Sequence, residues 1–161
     1  MSSILPAQGQ LEIAFSPNGA GTDLVVKVIE SAQKSICVLG YSFTSAPIAQ
    51  ALVTALKRGV AVRIVLDKSQ QTAQYSSATF LANQGVPLRI DSRHAIQHSK
   101  TIEVDEKTVQ TGSFNYTKAA QSKNAENVLV NWNHPALGTL YRKNFETHWE
   151  HAVPYDAKAL R

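Results

Sequence analysis

Apolar residues recur along the chain in short continuous runs and in wider stripes, the signature of strands and helices following one another. The pattern predicts a short strand over 11–15 and the turn-rich stretch 16–21. A helix starts after Thr22, with Val25, Val28, Ile29 and Ala32 on one face. Residues 35–39 read as a nearly continuous apolar strand. Ser45 is placed to cap a second helix, with Pro47 in its first turn, Ile48, Leu52, Ala55 and Leu56 along its stripe, and Gly59 as its stop. A β-branched strand resumes over 60–66. Strand, helix and strand in this order imply a right-handed crossover between parallel strands covered on both faces.

The second half continues with a helix over 74–84 closed by Gly85 and a strand over 87–90. Strands over 100–104 and 108–111 flank the turn Asp105-Glu106-Lys107, and a short helix follows Ser113. A strand is predicted over 126–132 and a last helix over 135–151. That helix carries Leu137, Leu140, Tyr141, Phe145, His148 and Trp149 on one stripe, expected to be core. No linker, low-complexity run or internal repeat interrupts the series. The expectation is one α/β domain over 1–161, with its core at about 11–151: a mixed, largely parallel β-sheet with helices on both faces, an α-β-α sandwich.

Composition narrows the function classes only modestly. At 161 residues the chain suits one substantial core and leaves no room for two independent catalytic domains. Sixteen Lys and Arg against 12 Asp and Glu give a net charge of +4, which favours polyanionic partners without naming one. Cys37 lies in an apolar run and reads as a small buried hydrophobe, so a disulfide-stapled scaffold is excluded. No window approaches the roughly 20 apolar residues of a membrane span, and no integral membrane association is expected. The first ten residues lack the basic flank and apolar stretch of a signal peptide.

The chemistry concentrates in His98-Ser99-Lys100-Thr101-Ile102-Glu103-Val104-Asp105 and Thr111-Gly112-Ser113-Phe114-Asn115, which fit the patterns HxKxxxxD and GSxN. Two residues apart on a strand, His98 and Lys100 project to the same side. An imidazole can attack phosphorus or protonate a leaving oxygen near neutral pH, while an ammonium stabilises charge gathering on the non-bridging oxygens. Ser113 and Asn115 could add neutral donors from the end of the next strand. HxK alone would read as an ordinary loop histidine and a solvated lysine; Asp105 and GSxN at compatible offsets turn the balance toward a phosphodiester site. A metal site built from Asp91, His94, His98 and Asp105 is the competing reading. It suits a helix better than the strand and loop predicted over 87–97, and Lys100 would place a positive charge beside the cation, so no metal and no cofactor is expected.

At these residues the sequence resembles the phospholipase D superfamily, in particular its small bacterial endonucleases with one HKD motif per chain. The resemblance runs from about Leu11 to about His151, and the segments 46–67 and 112–120 look like that nuclease branch. It implies that His98 is the nucleophile and that His98 of a second subunit is the general acid. It also implies that Lys100, Ser113 and Asn115 hold the phosphate oxygens. Glu126 would accept a hydrogen bond from His98 Nδ1, and Asp105 would tie down neighbouring structure. A single motif per chain then implies a homodimer.

The leading functional expectation is a metal-independent, sequence-nonspecific nuclease acting on DNA and also RNA, with Arg89, Arg93, Lys118 and Lys123 as candidates for tracking the phosphate backbone. The alternatives are a phospholipid phosphodiesterase and a catalytically silent nucleic-acid-binding dimer. Against the first stands the lack of an amphipathic anchor or apolar lid. Against the second stands the intact nucleophile. Related small nucleases are often exported, so the resemblance favours the periplasm or secretion over the cytoplasm.

Overall fold

The computed structural model describes residues 2–157; Met1 and residues 158–161, the ends of the expected 1–161 domain, lie outside the described residues. The first half folds as its apolar pattern requires. Strand β1 (Gln10–Ser16) leads to helix α1 (Gly21–Glu30), β2 (Ser35–Gly40), α2 (Ala46–Lys57) and β3 (Ala61–Asp67). The Ser45 side chain accepts from the Ile48 amide at the start of α2, and Pro47 sits in the first turn where its missing N–H leaves nothing unpaired. Ile48 and Leu52 are fully buried from this helix, each contributing about 1.5–3 kcal/mol.

Past β3 the expected helix over 74–84 contracts. A 3-10 turn at Lys68–Gln71 precedes α3 (Ala78–Asn83), whose buried residues are Ala78 and Leu81. Then come β4 (Leu88–Asp91), β5 (Thr101–Val104), β6 (Thr108–Gly112), α4 (Lys118–Ser122), β7 (Glu126–Trp132), α5 (Pro135–His151) and the two-residue β8 (Val153–Pro154).

The strands form a single mixed sheet in the order β1-β7-β6-β5-β2-β3-β4-β8. Its parallel part is smaller than expected. Only β2–β3 and β3–β4 pair in parallel; β1–β7, β7–β6, β6–β5, β5–β2 and β4–β8 are antiparallel. The reason lies in the connections: α2 and α3 supply crossovers in the first half, whereas β5 and β6 are joined by the three-residue turn over 105–107, with Asp105 and Glu106 at positive φ, which can only reverse the chain.

Helices α1, α2 and α3 pack on one face, over Val25, Val28, Ile36, Val38, Ile64 and Leu66. The opposite face has α5, packed over Cys37, Leu39 and Val65 through Phe145 and Trp149. The sheet beneath α5 is strongly polar, and this corrects the expectation that the stripe is core. Arg63 pairs with Glu146, Arg142 donates to Glu103 at 2.6 Å and to Ser35 at 2.7 Å, and Arg89 lies under Trp149. Phe145 is buried, but Leu140 is exposed and Tyr141 only half-buried. Gly138 lets the α5 backbone meet the β5–β6 turn: a Cβ there would stand 2.3 Å from the Glu106 carbonyl.

Candidate active site

Cross-strand partners share a face of a sheet, so the register shows what α5 leaves open. Leu39, Thr101, Thr111, Leu129 and Ile13 lie on α5's side. The helix packs against β6, β5, β2 and β4 and leaves the β7–β1 side of this face more open. A cleft of about 800 Å³ opens beside it, lined by His98, Lys100, Thr101, Thr111, Ser113, Asn115, Glu126, Leu140, Tyr141 and Asn144 among others. The motif residues His98, Lys100, Ser113, Asn115 and Glu126 therefore share one cavity. Tyr141, Leu140 and Asn144, from a helix far along the chain, were not legible as site residues.

Local structure explains how each side chain is held. His98 is exposed, but the residues around it are anchored: Gln97 donates its amide to Asp67 Oδ1 at 2.8 Å and its side chain to the Gly40 carbonyl at 2.9 Å, while its Oε1 accepts from the Ser99 amide at 3.0 Å. The His98 ring packs against Tyr41, with centroids 4.8 Å apart. Lys100 is buried; its Nζ donates to the His98 carbonyl and stands 5.4 Å from the Tyr41 ring centroid. Burial lowers its pKa, opposed by the charge of Glu126. An ammonium has three hydrogens, so that single bond leaves donors for an anion in the cleft.

On the other wall, alternation sorts the residues after β6. Phe114 and Tyr116 are fully buried anchors, with Tyr116 Oη donating to Gln110 at 2.8 Å, and Ser113 and Asn115 consequently reach the cleft. Gly112 at φ 140° permits the close approach of β7, where a Cβ would stand 2.3 Å from the Asn127 carbonyl. The Asn115 Oδ1 position is buried without a hydrogen-bond partner. Asn115 as a whole is half-buried and lines the cleft, so its amide stands in the cleft wall with that end unpaired.

One expected contact is absent. Glu126 accepts from Ser113 Oγ, and no hydrogen bond with His98 is found among the described residues. The Ser113 hydroxyl also accepts from the Asn127 amide at 3.1 Å, so its hydrogen is committed to Glu126 rather than to the cleft. Asp105 lies away from the cleft and accepts the backbone amides of Gln33, Lys34 and Ser35 at 2.8–3.0 Å.

None of the four flanking basic residues lines the cleft. Arg89 sits beneath α5, its guanidinium 4.2 Å from the Trp149 ring centroid and donating to the Trp149 carbonyl at 2.7 Å, which corrects its reading as a backbone-tracking residue. Arg93, Lys118 and Lys123 are exposed. The metal grouping weighed from sequence also divides: Asp105 and His98 lie apart from Asp91 and His94, which meet His148 and His151 of α5 instead. The spacing of two histidines by three on one helix was the available signal for that cluster.

Residues 25–149 match the family model described as "Cardiolipin synthase, PLD-like domain". The chain belongs to this phospholipase D-like family. A "Phospholipase D" of Rickettsia conorii is 37% identical over 77% of this chain and 62% of its own length, and a "Mitochondrial cardiolipin hydrolase" of Xenopus laevis is 33% identical over 85% of this chain and 64% of its own. The chain thus spans less than two thirds of the length of these curated relatives. Among solved structures, Nuc from Salmonella typhimurium, a phospholipase D family member, is similar at 45% identity with a TM-score of 0.89, covering 92% of this chain and 99% of that one. NucT from Helicobacter pylori shares the fold at 21% identity and a TM-score of 0.78. The phospholipase D-like fold accounts for the mixed sheet, and His98, Lys100, Ser113 and Asn115 converge in the cleft while Asp105 stays outside it.

Proposed function

We propose that this phospholipase D-like protein is a phosphodiesterase that cleaves nucleic acid, with no metal in the chemical step, at a site completed by two subunits. The observation that carries the reading is the cleft itself, in which an exposed imidazole stands beside a buried ammonium and an unpaired amide. His98 attacks phosphorus, forming an N–P bond as the P–O bond to the leaving group breaks. The departing oxygen takes its proton from His98 of the second subunit. That imidazole, now neutral, removes a proton from water, whose oxygen attacks phosphorus as the N–P bond to His98 breaks, restoring both groups. Lys100 and Asn115 hold the non-bridging oxygens.

One nucleophile per chain lacks a separate acid, and the surface beside the cleft suits a second copy. Leu11, Ile13 and Phe15 are 66%, 56% and 65% exposed on β1, and the register places Ile13 and Leu129 on the same face as Thr111 of the cleft. A two-fold axis there would bury an apolar row and bring two copies of His98 toward one phosphate.

Nucleic acid is supported by the likeness to Nuc over nearly its whole length, and by the resemblance of the motif to small bacterial endonucleases. A phospholipid substrate is the second reading, favoured by the names of the curated relatives. Plasmid DNA and vesicles of anionic phospholipid, each incubated with native protein and His98→Ala in excess EDTA, separate the two. The expected result is cleavage of DNA by native protein alone. Headgroup release without DNA cleavage would transfer the function to lipid, and full activity in His98→Ala would refute the mechanism.

A further inference from the structure

Away from the cleft, at the C-terminal end of β4, three imidazole nitrogens converge on one oxygen. Asp91 Oδ2 lies 2.8 Å from His94 Nδ1, 3.0 Å from His148 Nδ1 and 3.1 Å from His151 Nε2. Asp91 is fully buried, and its other oxygen is fixed by the amides of Arg93 at 2.9 Å and His94 at 3.3 Å. The three rings surround the point with centroids 5.0, 5.1 and 5.5 Å apart. A carboxylate oxygen has two lone pairs and cannot satisfy three donors well. His151 Nε2 shows the result: it is buried and makes no hydrogen bond.

A divalent cation at the centre of the group resolves that conflict, because every nitrogen can then present a lone pair. We propose that Asp91, His94, His148 and His151 form a structural zinc site that clamps the end of α5 onto the loop carrying His98. Three imidazoles and one carboxylate are a donor set for zinc rather than for magnesium or calcium, which take oxygen ligands. The four ligand atoms lie within 4.8 Å of one another. A tetrahedron with bonds of 2.0–2.1 Å places its corners about 3.3 Å apart, so small side-chain shifts suffice to seat the ion. The backbone bonds to Asp91 Oδ1 supply the outer support that orients a ligating carboxylate.

Four protein ligands leave no open coordination position, which makes the site structural. Its placement gives the clamp a purpose. His94 lies in the loop over 92–100 that also carries Gln97 and His98, and α5 supplies Leu140, Tyr141 and Asn144 to the cleft. The ion would therefore brace two elements beside the site without touching substrate, so its removal by chelator lowers stability and leaves the chemical step intact.

The test uses the full chain, stripped with chelator and then titrated with Zn2+ in competition with a chromophoric chelator. Native protein should take up one zinc per chain and melt at a higher temperature with it, and Co2+ should give the intense visible bands of a tetrahedral complex. His94→Ala and the double variant His94→Ala/His151→Ala should bind at least about ten-fold more weakly. His94 has a 47% exposed side chain, so the single variant keeps the test sound should the double variant fold poorly. Zinc uptake by native protein no tighter than by His94→Ala, an octahedral Co2+ spectrum, or equal stabilisation by Mg2+ would overturn the proposal. Metal uptake is read without substrate, so these outcomes are independent of whether the cleft cuts DNA.

Discussion

Replacing Asp105 by Asn tests whether this carboxylate holds the β5–β6 turn to the segment before β2. Asn also tolerates the positive φ of 53° at this position, so the backbone needs no rearrangement. In the native protein Oδ1 accepts from Lys34 and Ser35 and Oδ2 from Gln33. The amide oxygen of Asn can keep the first pair, while its NH2 group faces the Gln33 N–H as donor against donor. Hydrogen bonds to a charged group contribute about 1.5–3 kcal/mol when buried. Two of these three are exposed, so the low end applies and the loss should be about 1–1.5 kcal/mol. At a urea slope of roughly 2 kcal/mol/M this lowers the unfolding midpoint by about 0.5–0.8 M.

The pH dependence of the difference supplies the sharper test. Burial pushes the Asp105 carboxyl up, but the amides of Ser35, Gln33 and Lys34, with help from Lys107, outweigh it and hold the group below its ordinary value. The folded value is thus the lower one. Its contribution is complete above the unfolded value of about 3.9 and is lost as pH falls through the folded value. Urea midpoints should differ equally at pH 7 and pH 5, and the gap should close below about pH 4. Equal midpoints at neutral pH, or a gap unchanged at pH 3, would refute the reasoning. Turnover under folding conditions should match native protein, because Asp105 does not line the cleft.

Scrambling native and His98→Ala subunits in equal amounts should leave about a quarter of dimers with both histidines and about half the activity per native subunit. Activity proportional to native subunits, with exchange verified, would mean that each chain works alone. Arg142→Ala should cost about 3–5 kcal/mol in urea denaturation, since it strands Glu103, whose side chain is 3% exposed. Adding Glu103→Gln should restore part of that loss; no recovery would show that the arginine acts through packing rather than charge.

What could be read from sequence follows how local each feature is. The Ser45 cap, the strand over 126–132 and the helix over 135–151 depend on neighbouring residues, and all appear at their expected places. The motif residues were also legible, because HxK and GSxN each occupy a few consecutive positions, the first just before β5 and the second at the end of its neighbour β6, although His98 and Lys100 lie in the loop rather than on the strand. The dominance of antiparallel pairing was not legible, since an apolar strand carries no mark of its neighbour's direction. The stripe of α5 was misjudged for a related reason: periodicity tells which residues face inward, but not that Arg63, Arg89, Glu103 and Asp91 wait beneath them. The Ser113 bond to Glu126 was not legible either, since sequence does not say which neighbour a carboxylate accepts from.

The placement of an exposed His98 between a pinned Gln97 and a buried Lys100 has a thermodynamic consequence. A surface imidazole on a free loop would have to be ordered anew at each encounter with a phosphate. Here the flanking backbone loses its freedom once, when the chain folds, through bonds to Asp67 and Gly40 at the ends of central strands. The imidazole is thereby tied to the cooperative unfolding of the sheet rather than to a local equilibrium of its own. Preorganisation and global stability are, for this residue, the same quantity measured at two moments.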